Sequence, residues 1–374
     1  MVSVMTQNIG AGRPGVAYQA MQLGLLFNAV AGVLMAVFLF SGAGAILRMV
    51  GIADALYEPA LIYLKIVGGG CILNAVIPIF SSYLRAFGYT KQPLYATIVG
   101  NIANFVMNAV FLFVLHKGVA GVAAATVISK ILNLCIVLYF SHKLISAKNS
   151  TERIANKTVL GQIVKVGLPS ACETALYNVA MMLVIRFLNQ MDAEGLNVTA
   201  RSYTATISNF SYCVGAALAQ ANAIMTGWHI GAGELEECDR GTKRAAFVGV
   251  CVAVCMETAI VLGSGFIMPL FTDNPEMTAL VRKLLAIDIV LEIGRVTNLV
   301  FGQALKTSGD AVFPAVIAAV FMFVFAVGGT WLFGISMGLM AVGAYIGLAS
   351  DECVRAVGMV WRWKTGKWRT KKLV

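Results

Sequence analysis

The sequence predicts an all-α polytopic membrane protein: a two-lobed helical bundle from a parallel internal repeat, with about ten transmembrane helices. Three observations carry this. Hydrophobic residues make up 59% of the 374 positions and charged residues only 12%, about half the charged share of a soluble globular chain. Apolar runs of the roughly 20 residues needed to cross a bilayer recur along the whole chain. The breaks between them are short and polar, and the alternating ten-residue segments of a transmembrane β-barrel are absent.

In order, spans are predicted over approximately 18–42, 58–82, 93–115, 119–141, 167–188, 200–226, 245–271, 279–304, 313–333 and 338–361. Ahead of the first, "QNIGAGRPGVAYQA" at 7–20 reads as a tight turn permitted by Gly10 and Gly12 and held inside by Arg13. Residues 1–17 lack a basic region followed by an apolar core, so no cleavable signal peptide is expected. The third span carries Asn101, Asn104 and Asn108 on one face, as interhelical hydrogen-bonding residues. The fifth holds Pro169 and, four residues on, Glu173; the seventh holds an isolated Glu257, expected neutral and hydrogen-bonded. The eighth carries Asp288, Glu292, Arg295 and Asn298 at helical spacing. Lys65, Lys130 and Arg201 are expected to snorkel or pair.

The eight cysteines form no CxxC pair, and three scattered histidines make no metal site. The net charge of +10 has a simpler meaning than nucleic-acid binding. Alternate connections and the tail hold 18 lysines and arginines on one side against 4 on the other. The positive-inside rule then places both termini in the cytoplasm of a plasma membrane, a bacterial inner membrane.

Internal similarity organises the spans. Ile9-Gly10-Ala11-Gly12 matches Ile230-Gly231-Ala232-Gly233 at an offset of 221, and "LRAFGYTKQP" at 84–93 matches "LKTSGDAVFP" at 305–314 at the same offset. "GVAGVAAA" at 118–125 resembles "GLMAVGAY" at 338–345, an offset of 220. Equivalent connections carry the same charge bias, so the copies run in the same direction, related by an axis along the membrane normal. The polar linker 146–158 separates an N-terminal lobe, 1–147, of about four helices from a C-terminal lobe, 148–374, of about six. Two spans precede the second IGAG and none precedes the first. The expectation is a twelve-helix plan whose first two helices are missing here; a genuine ten-span chain is the alternative.

The local sequence resembles the multidrug and toxic compound extrusion (MATE) transporters. "QNIGAGRPGVAYQA" is similar to that family's connection after the second helix. "YLRAFGYTKQPLYATIVGNIANFVMN" with "GVAGVAAATVIS" is similar to its fourth to sixth helices. "VGLPSACETALYN" and "LEIGRVTNLVFGQALKTSGDAVFP" resemble its seventh and tenth. The resemblance implies a V-shaped bundle with a central cavity, exporting organic cations in exchange for Na+ or H+ by alternating access. The best-known members carry an acid deeper in the seventh helix and one in the tenth; here Glu173 comes a turn earlier and Arg295 stands near the second position.

Ionisable groups inside spans cost roughly 2.5–3.5 kcal/mol each on insertion scales, so they are candidate sites. Glu173 reads as a cation- or proton-binding carboxylate beside Tyr177 and Asn178, or as a first-turn capping acid. Glu292 and Arg295 read as a proton-released pair or as a fixed brace; Asp288 and Asn298 complete that face. The implied partners are small organic cations, a coupling ion and the bilayer, with no cofactor. No ATP-binding GxxxxGK[ST] motif appears, and no convergent nucleophile or metal set indicates an enzyme. A lipid-linked saccharide flippase of the same superfamily and an inactive truncated fragment are the alternatives.

Overall fold

The computed structural model describes residues 1–50, 54–145, 152–192 and 195–374, and every regular element among them is helical. They divide into two compact units, Met1–Ile163 and Val164–Val374. The first holds α1 (Val2–Gly10), α2 (Pro14–Val50), α3 (Asp54–Gly69), α4 (Ile72–Ala86), α5 (Lys91–Ala109) and α6 (Gly118–Leu144). Helix α7 (Asn156–Met191) crosses the boundary, and α8 (Leu196–Ala232), α9 (Leu235–Ile267), α10 (Pro275–Ser308), α11 (Val312–Phe321) and α12 (Met340–Lys364) complete the second.

Each predicted span lies on one of these helices or helical runs to within two residues, with one break at Gly70–Cys71. Among the described residues, seven runs are both long and apolar enough to cross a membrane. Helices α8, α10 and α12 are long but more polar, for a reason that the site makes plain. Large apolar side chains such as Phe27, Phe38, Phe105, Leu262 and Phe266 stand exposed. On an integral membrane protein such a surface faces lipid.

The repeat is written in the backbone. Four helices end in the same motif, a left-handed glycine whose successor's N–H reaches back five residues. Gly12 and Gly233 have φ of 74° and 81°, with Arg13 donating to Asn8 O and Glu234 to His229 O. Gly88 and Gly309 have φ of 85° and 98°, with Tyr89 donating to Leu84 O and Asp310 to Leu305 O. Both pairs keep the offset of 221. Helix α1 thus corresponds to 223–231, the last turns of α8.

The third anchor needs a correction. Lys117 donates to Phe111 O and Leu339 to Phe333 O, while positive φ falls at His116 and Gly118 in one copy and at Gly338 and Met340 in the other. The offset there is 222, not 220, so Gly121 aligns with Gly343. Both glycines sit against the turn before them: a Cβ on Gly121 would lie 2.8 Å from Phe111 Cβ, and one on Gly343 would strike Phe333. The extra residue is taken up by wider π turns, Val110–Val114 after α5 but Met322–Val327 and Thr330–Ser336 after α11. Such turns accommodate one-residue insertions within a helix.

In the second unit, Leu284, Leu285 and Leu291 of α10 pack with Val184 and Leu188 of α7 and Ala341, Ala344 and Tyr345 of α12. Asn274 caps α10, accepting from the N–H of Glu276 at 2.8 Å, with Pro275 at the first position. Past α12 the tail folds back. Trp368 stacks on Trp363 at 4.1 Å, and Trp363 donates to Asp239 Oδ1 at 2.7 Å. Buried Asp310 accepts from Arg362 Nε at 2.7 Å and Lys371 Nζ at 2.8 Å. Burial opposes ionisation of Asp310, but these two donors outweigh it and hold its carboxyl below the usual carboxylate range.

Candidate functional site

A cavity of about 590 Å³ opens inside the second unit. Each wall is one stripe of a helix, at the three- and four-residue spacing that shares a face. Helix α7 gives Glu173, Tyr177 and Met181, with Thr174 and Asn178 alongside; α8 gives Arg201, Ala205, Ser208 and Tyr212. Helix α10 gives Asp288, Arg295, Asn298, Gly302 and Lys306, and α12 gives Tyr345, Leu348, Glu352, Arg355 and Met359, with Asp351 beside them. These stripes are why α8, α10 and α12 are the more polar helices.

One glycine sets the spacing of α10 and α12. A Cβ at Gly294 would lie 2.7 Å from Cys353 N and 2.8 Å from Glu352 C, so only glycine permits this approach. The contact lets Asn298 Nδ2 donate to Glu352 Oε2 at 3.0 Å and brings Arg295 Nε to 3.9 Å from Glu352.

The lining charges are largely paired. Lys306 lies 2.8 Å from Glu173, tying α10 to α7. Arg295 forms an ion pair with Glu292 one turn earlier and lies 5.8 Å from the Tyr212 ring centre. Arg355 lies 2.7 Å from both Asp351 and Glu352. Arg201 makes no ion pair among the described residues; it contacts Met181 Sδ at 3.7 Å.

Of the residues singled out in the sequence, Glu173, Tyr177, Asn178, Asp288, Arg295 and Asn298 all line this cavity. Glu292 does not: it is fully buried behind the wall and reaches the cavity only through Arg295. Glu173 is no first-turn cap, because α7 starts at Asn156 and runs through Pro169 without interruption. Asp288 sits within α10, in its first half. Glu257 is buried as expected, with the Ser211 hydroxyl of α8 beside its carboxylate. In the first unit, Asn104 does reach across to Ser129 Oγ at 3.3 Å, and Asn108 donates to Asn104.

Sequence reasoning missed Lys306 and the α12 trio Asp351, Glu352 and Arg355. Lys306 falls beyond the eighth predicted span, 279–304, whereas α10 extends to Ser308. The trio lay inside the last predicted span, where the rule applied to the eighth span would have found it.

Residues 1–110 and 169–332 match the MatE family. An uncharacterized transporter of Bacillus subtilis, YisQ, is 31% identical, over 98% of this chain and 82% of its own length. A probable multidrug resistance protein of Thermotoga maritima, NorM, is 20% identical, over 83% and 68% respectively. The fold is similar to that of a crystallised mutant of the Vibrio cholerae MATE transporter VcmN. The TM-score is 0.88 at 17% identity, covering 98% of this chain and 84% of that one.

Proposed function

This chain belongs to the MatE family of transporters, and from that premise we propose that it exports organic cations in exchange for Na+ or H+. Transport proceeds by alternating access between its two lobes, across a plasma membrane with both termini in the cytoplasm. The observation that carries this reading is the charged cavity within the apolar second unit. Ionisable side chains at membrane depth are expensive and mark ion and substrate pathways.

The chemistry of the walls suits an organic cation. The lining holds four acids and four bases, and Glu292 behind the wall adds a fifth acid through Arg295. Tyr177 and Tyr212 offer ring faces, and Met181 a polarizable thioether, for an apolar body carrying a positive charge. A flippase for pyrophosphate-linked saccharides needs surplus cations, and here only Arg201 lacks an acidic partner among the lining bases. At about 100 mV one inward charge supplies roughly 2.3 kcal/mol. Exporting a monovalent cation costs the same, so one-for-one exchange runs on the ion's chemical gradient.

The test is accumulation of cationic dyes in cells and proteoliposomes containing the chain, under imposed sodium or proton gradients. Reduced accumulation under one of the gradients is expected. No change for any cationic dye under either gradient overturns the reading.

A further inference from the structure

We propose that Lys306 is a tethered rival of the substrate: its ammonium holds the place at Glu173 that the positive group of an exported cation takes in its turn, and its return to Glu173 expels that cation. The proposal deepens the transport reading above and rests on it. Both side chains line the cavity, Glu173 from α7 and Lys306 from α10, with Nζ 2.8 Å from Oε2. They are 21% and 15% exposed respectively. The contact is one of charge alone, since that oxygen has no hydrogen-bond partner among the described residues.

The other three lining acids are held differently. Asp351 is almost fully buried and accepts from both Nε and Nη2 of Arg355, at 3.1 and 2.7 Å. Glu352 accepts from Asn298 Nδ2 at 3.0 Å and lies 2.7 Å from Arg355. Asp288 is 2% exposed, with the Ser208 hydroxyl beside it. A planar guanidinium grips a carboxylate through a fork of directed bonds, whereas lysine offers a point charge on a flexible four-carbon stem. Glu173 is thus the lining carboxylate most open to the cavity and most loosely held, so an arriving cation claims it first.

Two features of α10 make the exchange workable. Gly302 lies one turn before Lys306 on the same stripe, and a Cβ there would meet nothing closer than Asn298 Oδ1 at 3.9 Å. Open space therefore lies one turn from the ammonium, where the body of a bound cation can reach Glu173. Lys306 itself stands in the last turn of α10, where the partial negative charge of the helix end favours a cation. A displaced ammonium keeps that favourable field while the substrate occupies Glu173. A partly exposed pair of this kind is weak, so either cation can replace the other. Tethering gives Lys306 an effective concentration at Glu173 that a dissolved cation lacks. An exported cation, once loosened, is replaced rather than rebound.

The experiment follows ethidium, a cationic dye, by equilibrium binding to the purified chain and by efflux from proteoliposomes. Lys306→Met removes the rival, so the dye should bind about two- to fivefold tighter, the worth of a partly exposed ion pair. KM and kcat of efflux should fall together by a similar factor, because affinity changes within one site fall mostly on dissociation. Lys306→Arg, which can grip Glu173 with a fork, should weaken dye binding instead. The double variant Glu173→Gln/Lys306→Met, as neutral as the wild-type pair, should bind no tighter than wild type, because no carboxylate is left to claim. The proposal is overturned if Lys306→Met leaves dye binding unchanged or weaker, if the double variant keeps the gain, or if neither wild type nor Lys306→Met binds the dye. Should Lys306→Met fail to fold, Lys306→Arg carries the test, and dye binding as tight as that of wild type overturns the proposal. Tighter binding without efflux by any variant sinks the export reading and leaves the exchange at Glu173. Wild-type efflux whose KM and kcat are the same in Lys306→Met sinks the exchange and leaves the export reading.

Discussion

Helices α3 and α4 of the first unit and α10 of the second are the same element in the two copies, and they have diverged in opposite senses. The first is broken at Gly70–Cys71 and uncharged along the matching face; the second runs unbroken for 34 residues and carries the charge. At the shared offset, Val67 stands opposite Asp288, Cys71 opposite Glu292 and Asn74 opposite Arg295. In α2, Ala36 stands opposite Glu257; in α6, with the offset of 222, Lys130 stands opposite Glu352. The turns that end the helices share the same left-handed glycine and the same five-residue reach-back hydrogen bond. Divergence therefore touched one face of a few helices and left their ends alone. A left-handed glycine turn fixes where a helix stops without constraining which side chains its faces carry.

The sharpest way to break this comparison is to exchange the contents of the two faces. Arg295→Met strands Glu292 next to Glu257 and Asp288, and losing one partner of a buried pair costs about 3–5 kcal/mol. Asn74→Leu, at the exposed equivalent position, should stay within about 0.5 kcal/mol. Comparable losses of unfolding temperature would show that the two faces are energetically alike after all.

The loops after α4 and α10 provide the next contrast. Tyr89 OH donates one neutral hydrogen bond to Leu144 O at 3.3 Å, whereas Asp310 in the equivalent position gathers Arg362 and Lys371. Asp310→Asn should cost about 1.5–3 kcal/mol, and Tyr89→Phe about 1 kcal/mol or less. The folded-state pKa of Asp310 is depressed below its unfolded value of about 3.9. Its contribution is therefore complete above about pH 4 and is lost as pH falls through the folded pKa. The gap between wild type and Asp310→Asn should accordingly be flat near neutrality and close below about pH 4. A gap that widens on acidification contradicts the assignment.

Smaller effects sharpen the picture. Gly294→Ala forces α12 away from α10 at a cost of about 1–3 kcal/mol, although Leu73 occupies the counterpart position in the first unit without difficulty. Unchanged stability would mean that the helices are less closely seated than the contact at Cys353 implies. Glu173→Gln, at the partly exposed Lys306 pair, should cost about 1 kcal/mol or less in stability while lowering dye efflux. Loss of folding with efflux per folded molecule intact would make Glu173 a structural residue.

Part of the site was legible because helical periodicity alone places Asp288, Arg295 and Asn298 on one face, and because charge inside an apolar run is conspicuous. The Glu173–Lys306 pair was hidden, since its partners are 133 residues apart in sequence and Lys306 looked like a loop cation. The α12 trio was as visible as the α10 set and went unread. The place of Ser208 in the cavity wall had no signal at all: serine is common in helices, and only what stands opposite gives it meaning.

By itself the sequence determined the class, the span positions, the two-copy plan and the family, because all four follow from local quantities. Hydropathy over some twenty residues decides burial in lipid, and glycine at a fixed offset decides where helices end. Tertiary structure alone decided which charges meet. Whether Glu292 faces Arg295 and Glu257 together, whether Glu173 finds Lys306, and whether α12 can approach α10 at Gly294 depend on distances between helices. Hydrogen bonds and Coulomb interactions change over a few ångströms, a scale that the one-dimensional pattern does not encode.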